Sequence, residues 1–374
     1  MSQAYYSFIK YWIAALAFLV FSMVVIGGLT RLTESGLSIV EWKLVSGILP
    51  PLTEESWQRE FDAYRQSPQY EKVNKGMTVS DFKNIFWLEY LHRLLGRSIG
   101  LVALLPLIWL SAKRKTIFHY DKRNDELNDH PLFQDHRWLL GRMWLVALLI
   151  GLQGALGWYM VKSGLIDVPW VSPYRLAAHL GLAVTILLLL VNSLLRLSSI
   201  TALQRSIAAQ RFSIAVVAVV FVQIILGAFV AGLDAGLTYN TFPLMDGDFI
   251  PSGLWQMDPA WRNIFENVTT VNFFHRWFAF VAGGFVLSQS FWIIKTTPSS
   301  FLVKCAYASA GLVILQIVLG ISTLLLVVPV HLATLHQAVA ALLLISVNSI
   351  AYISWQSKLR IVSHQTTLSM SLST

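Results

Sequence analysis

Residues 11–30 read YWIAALAFLVFSMVVIGGLT, twenty residues in a row without a charge. A helix needs about 20 apolar residues to cross a bilayer, so this stretch predicts a membrane-spanning helix close to the N-terminus. Seven further apolar runs are also long enough to span. The eight runs lie at about 9–30, 84–111, 138–161, 175–195, 212–232, 273–295, 302–327 and 331–355. The sequence therefore predicts an all-α polytopic membrane protein with eight transmembrane helices.

The composition supports this fold class. Of the 374 residues, 55% are hydrophobic and 13% are charged, whereas soluble domains carry about 25% charged residues. The net charge of +8 comes from basic residues at the ends of apolar runs, which argues against nucleic acid and favours membrane lipid as a partner. The single cysteine, Cys305, excludes an intrachain disulfide and a thiolate metal site. Residues 1–10 show no presequence or cleavage signal, so we expect a bacterial protein that keeps its first helix.

Loop charges predict which side of the membrane each loop faces. An excess of Lys and Arg is found in the loops at 112–137, 196–211 and 296–304. The loop at 233–272 instead carries five acidic residues against the single basic residue Arg262. By the positive-inside rule the first three loops and both termini are cytoplasmic, and the loops at 31–83 and 233–272 lie outside. We expect a multi-pass protein of the bacterial cytoplasmic (inner) membrane.

The first outer loop contains helix signals of its own. Two glutamates precede Trp57, Phe61 and Tyr64, which follow one another at helical spacing. This pattern predicts an amphipathic helix at the surface. Thr78 and Asp81, just before the second apolar run, fit a capping box at a helix start.

The chain also aligns with itself. At an offset of 200 residues, Gly27, Gly36 and Leu37 recur as Gly227, Gly236 and Leu237. Three further segments match in the same order, 89–93 with 272–276, 152–157 with 315–320 and 176–179 with 333–336. The pattern predicts a duplicated four-helix unit, residues 1–200 and 201–374. Four crossings return a chain to its starting side, so the two bundles have the same orientation, unlike the inverted repeats of transporters.

Histidines recur at matched positions in both units. Of the nine, His331 sits at the very start of the eighth run, and four others lie a few residues into the even-numbered runs, namely His92, His179, His275 and His336. Because those runs all start at the outer face, the four are predicted at similar shallow depth, two in each unit. Ionisable groups inside spans usually mark functional sites, and paired imidazoles on facing helices are common axial ligands of heme iron. A histidine bonded to a neighbouring helix is the alternative for any single one, and zinc is a weaker candidate because it usually needs more ligands in one place.

The neighbours of these histidines differ between the units. Arg93 and Arg276 each follow a histidine and either snorkel to lipid headgroups or pair with heme propionates. Glu89 lies one helical turn before His92, whereas the matching residue of the second unit is Asn272. We interpret Glu89 as the mark of a reactive site, because a carboxylate can accept or relay protons. A favourable interaction with the helix dipole is the alternative explanation.

Several longer strings resemble the heme A synthase family. They are Gly27-Gly-Leu-Thr-Arg-Leu-Thr-Glu-Ser-Gly-Leu-Ser38, Glu89-Tyr-Leu-His-Arg93, Leu233-Asp-Ala-Gly-Leu-Thr-Tyr-Asn-Thr-Phe-Pro-Leu-Met245, Asn272-Phe-Phe-His-Arg276 and Leu335-His-Gln337. The resemblance covers nearly the whole chain. It implies an eight-helix oxidoreductase of an energy-transducing membrane that oxidises a ring methyl group of heme O to a formyl group, giving heme A for terminal cytochrome oxidase. Without cysteine pairs, the chain resembles the cysteine-free branch of alphaproteobacterial and mitochondrial type.

The resemblance also implies roles for single residues. His275 and His336 would ligate a bound heme b, and His92 and His179 would hold the heme O substrate. Glu89 would assist catalysis as the methyl group passes through an alcohol to a hydrated aldehyde. The protein itself would supply orientation, axial ligation and proton handling.

Other classes of protein share part of this pattern. A diheme b-type electron carrier in the membrane would show the same four histidines, but it need not have Glu89 in one unit alone. A transporter is disfavoured because ionisable residues cluster toward the outer face. An assembly factor that passes heme onward needs the same ligands and is separated from an enzyme only by turnover. The expected partners are heme O, lipid, a heme O synthase, an electron-transfer partner and a second copy of the chain.

Overall fold

A computed structural model of the chain describes residues 3–42, 46–117, 136–164, 170–198 and 207–371. Within these ranges eight helices are long and apolar enough to cross a membrane. In chain order they are α1 (Gln3–Leu32), α2 (Val79–Ala112), α3 (His136–Gly164), α4 (Pro173–Leu197), α5 (Ile207–Gly232), α6 (Val268–Thr296), α7 (Ser300–Leu325) and α8 (Val330–Ser371). The predicted all-α polytopic membrane fold is confirmed.

Shorter helical segments lie between the spanning helices. They are Ser35–Leu37, Ser46–Ile48, Glu54–Arg65, Pro68–Lys72, Arg114–Ile117, Ala235–Leu237, Ala260–Arg262 and Asn263–Glu266. Most of the basic loops predicted at 112–137 and 196–211 falls outside the described residues.

The spanning helices pack as two rings of four. In the first ring α1 contacts α2, α2 contacts α3, α3 contacts α4, and α4 returns to α1. Helices α5 to α8 repeat the same order of contacts. The rings meet through α1 with α8, α4 with α5, and α4 with α8. Each ring buries aliphatic side chains, among them Leu16, Leu107 and Leu187 in the first and Val216, Val286 and Val347 in the second. Such a core stabilises each ring by close packing.

Polar contacts join the two rings along their common interface. Asn348 on α8 donates to Asn192 on α4 at 2.7 Å. Gln337 on α8 donates to the backbone oxygen of Val24 on α1, also at 2.7 Å. Hydrogen bonds of this kind between spanning helices hold neighbours in register where lipid offers no alternative partner.

Helices α2, α4, α6 and α8 all begin at the same end of the bundle, which we call the histidine end. At this end the chain leaves α1 and α5 through the same backbone turn. Glu34 after α1 has φ 52° and Asp234 after α5 has φ 51°, and each precedes a short 3₁₀ turn. A left-handed conformation is uncommon for residues other than glycine, so its recurrence at matched positions of the two units reflects the repeat.

The amphipathic helix predicted in the first loop is present as Glu54–Arg65. Its apolar residues Trp57, Phe61 and Tyr64 are buried against Phe82 and Phe86 at the start of α2. This contact explains why α2 begins at residue 79, earlier than the apolar run alone predicts. Burial raises the pKa of the Tyr64 phenol. The capping box predicted at the start of α2 is present.

Candidate functional site

The four histidines of the repeat all lie near the starts of the even-numbered helices. His179, His275 and His336 lie about two helical turns after the first residues of α4, α6 and α8. His92 lies about twice as far into α2. The difference arises because the first turns of α2 extend past the bundle to pack on the Glu54–Arg65 helix. The histidines therefore occupy one end of the molecule, two in each ring.

A glycine on the preceding helix faces every one of these imidazoles. A Cβ atom added to Gly27 would lie 3.4 Å from His92 Nε2, and one added to Gly157 would lie 3.3 Å from His179 Cε1. In the second ring the corresponding distances to Cε1 are 3.0 Å from Gly227 to His275 and 2.9 Å from Gly320 to His336. Since carbon atoms normally rest about 3.5–4.0 Å apart, a side chain in place of Gly157, Gly227 or Gly320 would crowd the imidazole it faces, whereas one at Gly27 would make an ordinary contact with His92.

The second pair has the separation of two ligands on one metal. The ring centres of His275 and His336 are 6.5 Å apart. A metal–imidazole bond is about 2.0 Å long, and two rings bound on opposite sides of one ion have centres about 6 Å apart. The Nδ1 atoms of His179 and His336 are buried without a hydrogen-bond partner. Unpartnered ring nitrogens, with glycines leaving space beside the imidazoles, fit residues that would hold the iron of a heme.

Three glutamines also lie against the histidines. Gln153 donates to the backbone oxygen of His179 at 3.0 Å, and Gln223 donates to that of His275 at 2.9 Å. The amide nitrogen of Gln316 lies 3.3 Å from Nε2 of His336. Sequence reasoning did not assign these residues to the site. The sequence did contain an indication for two of them, because Gln153 and Gln316 occupy matched positions in the repeat.

Glu89 is buried in a polar cluster beside the first histidine pair. Its side chain is 2% exposed, and Oε1 lies 2.6 Å from Arg93 Nη2. Its other oxygen accepts hydrogen bonds from the Ser38 hydroxyl and the Ile39 backbone N–H, each at 2.7 Å. Arg93 in turn donates to the Ile39 and Glu41 carbonyl oxygens. Glu89 is thus one helical turn from His92 and is linked directly to the loop that follows α1.

The second ring repeats this cluster with an amide in place of the carboxylate. Arg276 Nε donates to Asn272 Oδ1 at 2.6 Å, and its terminal nitrogens donate to the carbonyl oxygens of Tyr239 and Thr241. Tyr239 and Thr241 are the matches of Ile39 and Glu41 at the repeat offset. Both arginines therefore hold equivalent loops against equivalent helices. Sequence reasoning found these arginines but missed the loop carbonyls, and contact with heme propionates stays a prediction.

No cluster of three or more His, Cys, Asp and Glu side chains that could hold a metal ion occurs within the described residues. The arrangement does not favour zinc, because each ring offers two imidazoles. Outside the spans, the pKa of Glu266 is lowered by hydrogen bonds from Arg262 and then Tyr174. That cluster lies in the second loop of the histidine end and takes no part in the histidine pairs.

Fold and site together define an all-α polytopic membrane protein with a half-buried pair of histidines in each of two similar four-helix rings. Comparison with known proteins agrees. The family described as "Cytochrome oxidase assembly protein" matches residues 10–348. The chain is 46% identical to the protein named heme A synthase of Nitrosospira multiformis, over 90% of each chain. It is 46% identical to that of Parvibaculum lavamentivorans, over 88% of this chain and 89% of that protein. It is 44% identical to that of Bradyrhizobium sp. strain ORS 278, over 90% and 88%. The chain belongs to the heme A synthase family.

Proposed function

We propose that this protein is a heme A synthase, a membrane oxidoreductase that oxidises a ring methyl group of heme O to a formyl group and supplies heme A for terminal cytochrome oxidase. The names of its relatives support this activity. The observation that carries the proposal is the recurrence of a half-buried, glycine-faced histidine pair in both rings, with a carboxylate beside only one pair.

The second ring is the cofactor site in this proposal. His275 and His336 hold heme b, in agreement with the 6.5 Å between their ring centres. Heme b bound there supplies one-electron redox chemistry. Gly227 and Gly320 leave room beside the two imidazoles. Asn272 cannot take up a proton as a carboxylate does, so this ring has no general base at the matched position.

The first ring is the substrate site, where His92 and His179 hold heme O. Glu89 precedes His92 by three residues, and side chains at this spacing lie on the same face of a helix. The carboxylate oxygen that accepts from Ser38 is the proposed acceptor for protons released as the methyl group is oxidised. The Ser38 hydroxyl offers the next position for such a proton, toward the loop after α1. Arg93 stabilises the carboxylate while it is charged.

The membrane placement is also part of the proposal. Lys113, Arg114 and Lys115 follow α2 at the end opposite the histidines. By the positive-inside rule that end is cytoplasmic, which directs the histidine end outward from a bacterial cytoplasmic membrane and leaves both termini inside. A heme O synthase that hands over the substrate, an electron-transfer partner and a second copy of the chain are the proposed partners.

Pigment analysis tests the activity. The full chain and its Glu89→Gln variant are purified from cells that make heme O, and the extracted pigments are identified by mass. Wild type is expected to carry heme b together with heme O, its alcohol derivative or heme A. Glu89→Gln keeps the shape of the side chain and is expected to retain heme b while forming at least about 10-fold less oxidised product, since loss of a general base usually costs that much or more.

A matched change in the second ring serves as the control. Asn272→Asp adds a carboxylate at the equivalent position and is expected to leave the product pattern unchanged. Wild-type protein that carries two equivalents of heme b and forms no oxidised heme would refute the synthase proposal and identify a diheme electron carrier.

A further inference from the structure

Three of the four odd-numbered helices present the same two-residue pattern to the histidines. In them a glutamine precedes the histidine-facing glycine by four residues, as Gln153 and Gly157, Gln223 and Gly227, and Gln316 and Gly320. Residues four apart lie on one face of a helix, so each of these histidines meets a glutamine and a glycine together. On α1 the same position is occupied by Met23, four residues before Gly27.

The glutamine carbonyls are placed to accept a hydrogen bond they do not yet make. The Oε1 atoms of Gln153, Gln223 and Gln316 are all buried without a partner. Two of the amide groups lie directly against a ring nitrogen, because Gln223 Nε2 is 3.1 Å from His275 Nδ1 and Gln316 Nε2 is 3.3 Å from His336 Nε2. A buried acceptor without a partner is costly, and a half-turn of the amide group places its carbonyl oxygen at that ring nitrogen. An imidazole that binds iron through one nitrogen must donate the proton on the other.

On α1, in the first ring, Met23 takes the place of the glutamine. A Cβ atom added to Gly96, one turn after His92 on α2, would lie 3.4 Å from Met23 Cε. The methionine side chain therefore packs on the helix that bears His92, in the place of a glutamine. A thioether is only a weak hydrogen-bond acceptor.

We infer that the three glutamines are positioning residues that hydrogen-bond the iron-ligating imidazoles, and that Met23 leaves His92 without such support, making His92 the replaceable ligand. The inference rests on the proposed function. It identifies His92 as the ligand that is exchanged when heme leaves the first ring. A hydrogen-bond acceptor at the ring nitrogen that does not bind the metal raises the basicity of the imidazole and strengthens its bond to the metal. The first ring must release its heme after each turnover, whereas the second keeps its heme. One weakly held imidazole at the substrate site meets that need.

Cyanide titration of the purified ferric protein carrying both hemes tests this inference. Wild type is expected to bind cyanide in two phases, with the tighter phase at the heme of the first ring, because cyanide displaces the weaker imidazole. Met23→Gln is expected to weaken the tighter phase by about 10- to 100-fold, the usual effect of a hydrogen bond to a ligand. Gln316→Met is expected to strengthen the weaker phase by a similar factor.

Gln289→Met is the matched control, because Gln289 is also buried with an unpartnered amide but lies on α6 about four helical turns beyond His275. It is expected to move neither phase. A single phase in wild type, or a tighter phase that stays within two-fold in Met23→Gln at full heme content, would overturn the inference. If Met23→Gln loses heme, the inference is tested by Gln316→Met alone, and an unchanged weaker phase in that variant would overturn it. Because cyanide binding needs no turnover, a protein that shows these shifts but forms no heme A would refute the proposed function and leave the inference standing.

Discussion

Replacing Gly320 with alanine should expel heme from the second ring while leaving the fold intact. The new Cβ would lie 2.9 Å from His336 Cε1, about 0.6 Å short of an ordinary carbon contact. The imidazole has to move by roughly that amount, whereas metal–ligand distances tolerate changes of only about 0.2 Å. Overpacking of this kind costs about 1–3 kcal/mol, which corresponds to a roughly 5- to 150-fold loss of heme affinity.

The same helix provides a matched control. Gly311 has no atom within 4 Å of an added Cβ. Alanine there gains about 0.5–1 kcal/mol from helix propensity and touches nothing. Both variants and wild type are purified in detergent, and heme b per protein and the thermal unfolding midpoint are measured. Gly311→Ala should keep full heme b, whereas Gly320→Ala should lose most of it.

One result would refute this reasoning. If Gly320→Ala keeps wild-type heme b and an unchanged low-spin spectrum, then His336 does not need its present position to bind heme. The glycine would then serve only the packing of α7 on α8. A loss of heme in both variants would instead show that the contact distance is not the cause.

Three further changes probe the loops of the histidine end. Arg93 reaches two carbonyl oxygens and Glu89 through two separate nitrogens, a spread that the single ammonium nitrogen of Arg93→Lys lacks. Backbone hydrogen exchange around Ile39 should therefore rise about 10-fold or more, and unchanged exchange would show that the loop is held elsewhere. Tyr64→Phe loses the hydrogen bonds of a buried hydroxyl and should destabilise its helix by about 0.5–1.5 kcal/mol, seen as faster limited proteolysis. The pKa of Glu266 is lowered by Arg262, so its stabilising effect is present above the usual carboxyl pKa and lost as the pH falls through the lowered value. Wild type should therefore unfold at a higher temperature than Glu266→Gln at neutral pH, and this difference should vanish in acid. A difference that does not change with pH would show that the ion pair does not stabilise the protein.

The spanning helices were predictable because a bilayer imposes one length and one composition on each of them. The repeat then placed two histidines in each unit without any contact information. The sequence did not predict the early start of α2, because Phe82 and Phe86 are buried by a partner helix whose docking no local periodicity encodes. Tertiary contacts decide such boundaries.

The polar part of the site was only partly predictable. Glu89 stood out through its asymmetry with Asn272, but its bonds to Ser38 and Ile39 depend on a loop of irregular backbone. Loop conformation follows from turns and side-chain contacts that have no fixed period. Gln223 escaped notice for another reason, since a glutamine inside an apolar run is a weak signal until the facing histidine is known.

The contacts between the rings have an evolutionary consequence. Exchanging the two rings converts the α1–α8 contact into the α4–α5 contact and leaves the α4–α8 contact in place. An ancestral four-helix protein could therefore have formed the same interface between two identical copies. In a single chain each half can change independently of the other, which allows Glu89 and Asn272 to differ at matched positions. Under the proposed function the two halves of the chain then differ in role, because the first releases its heme after turnover and the second retains it.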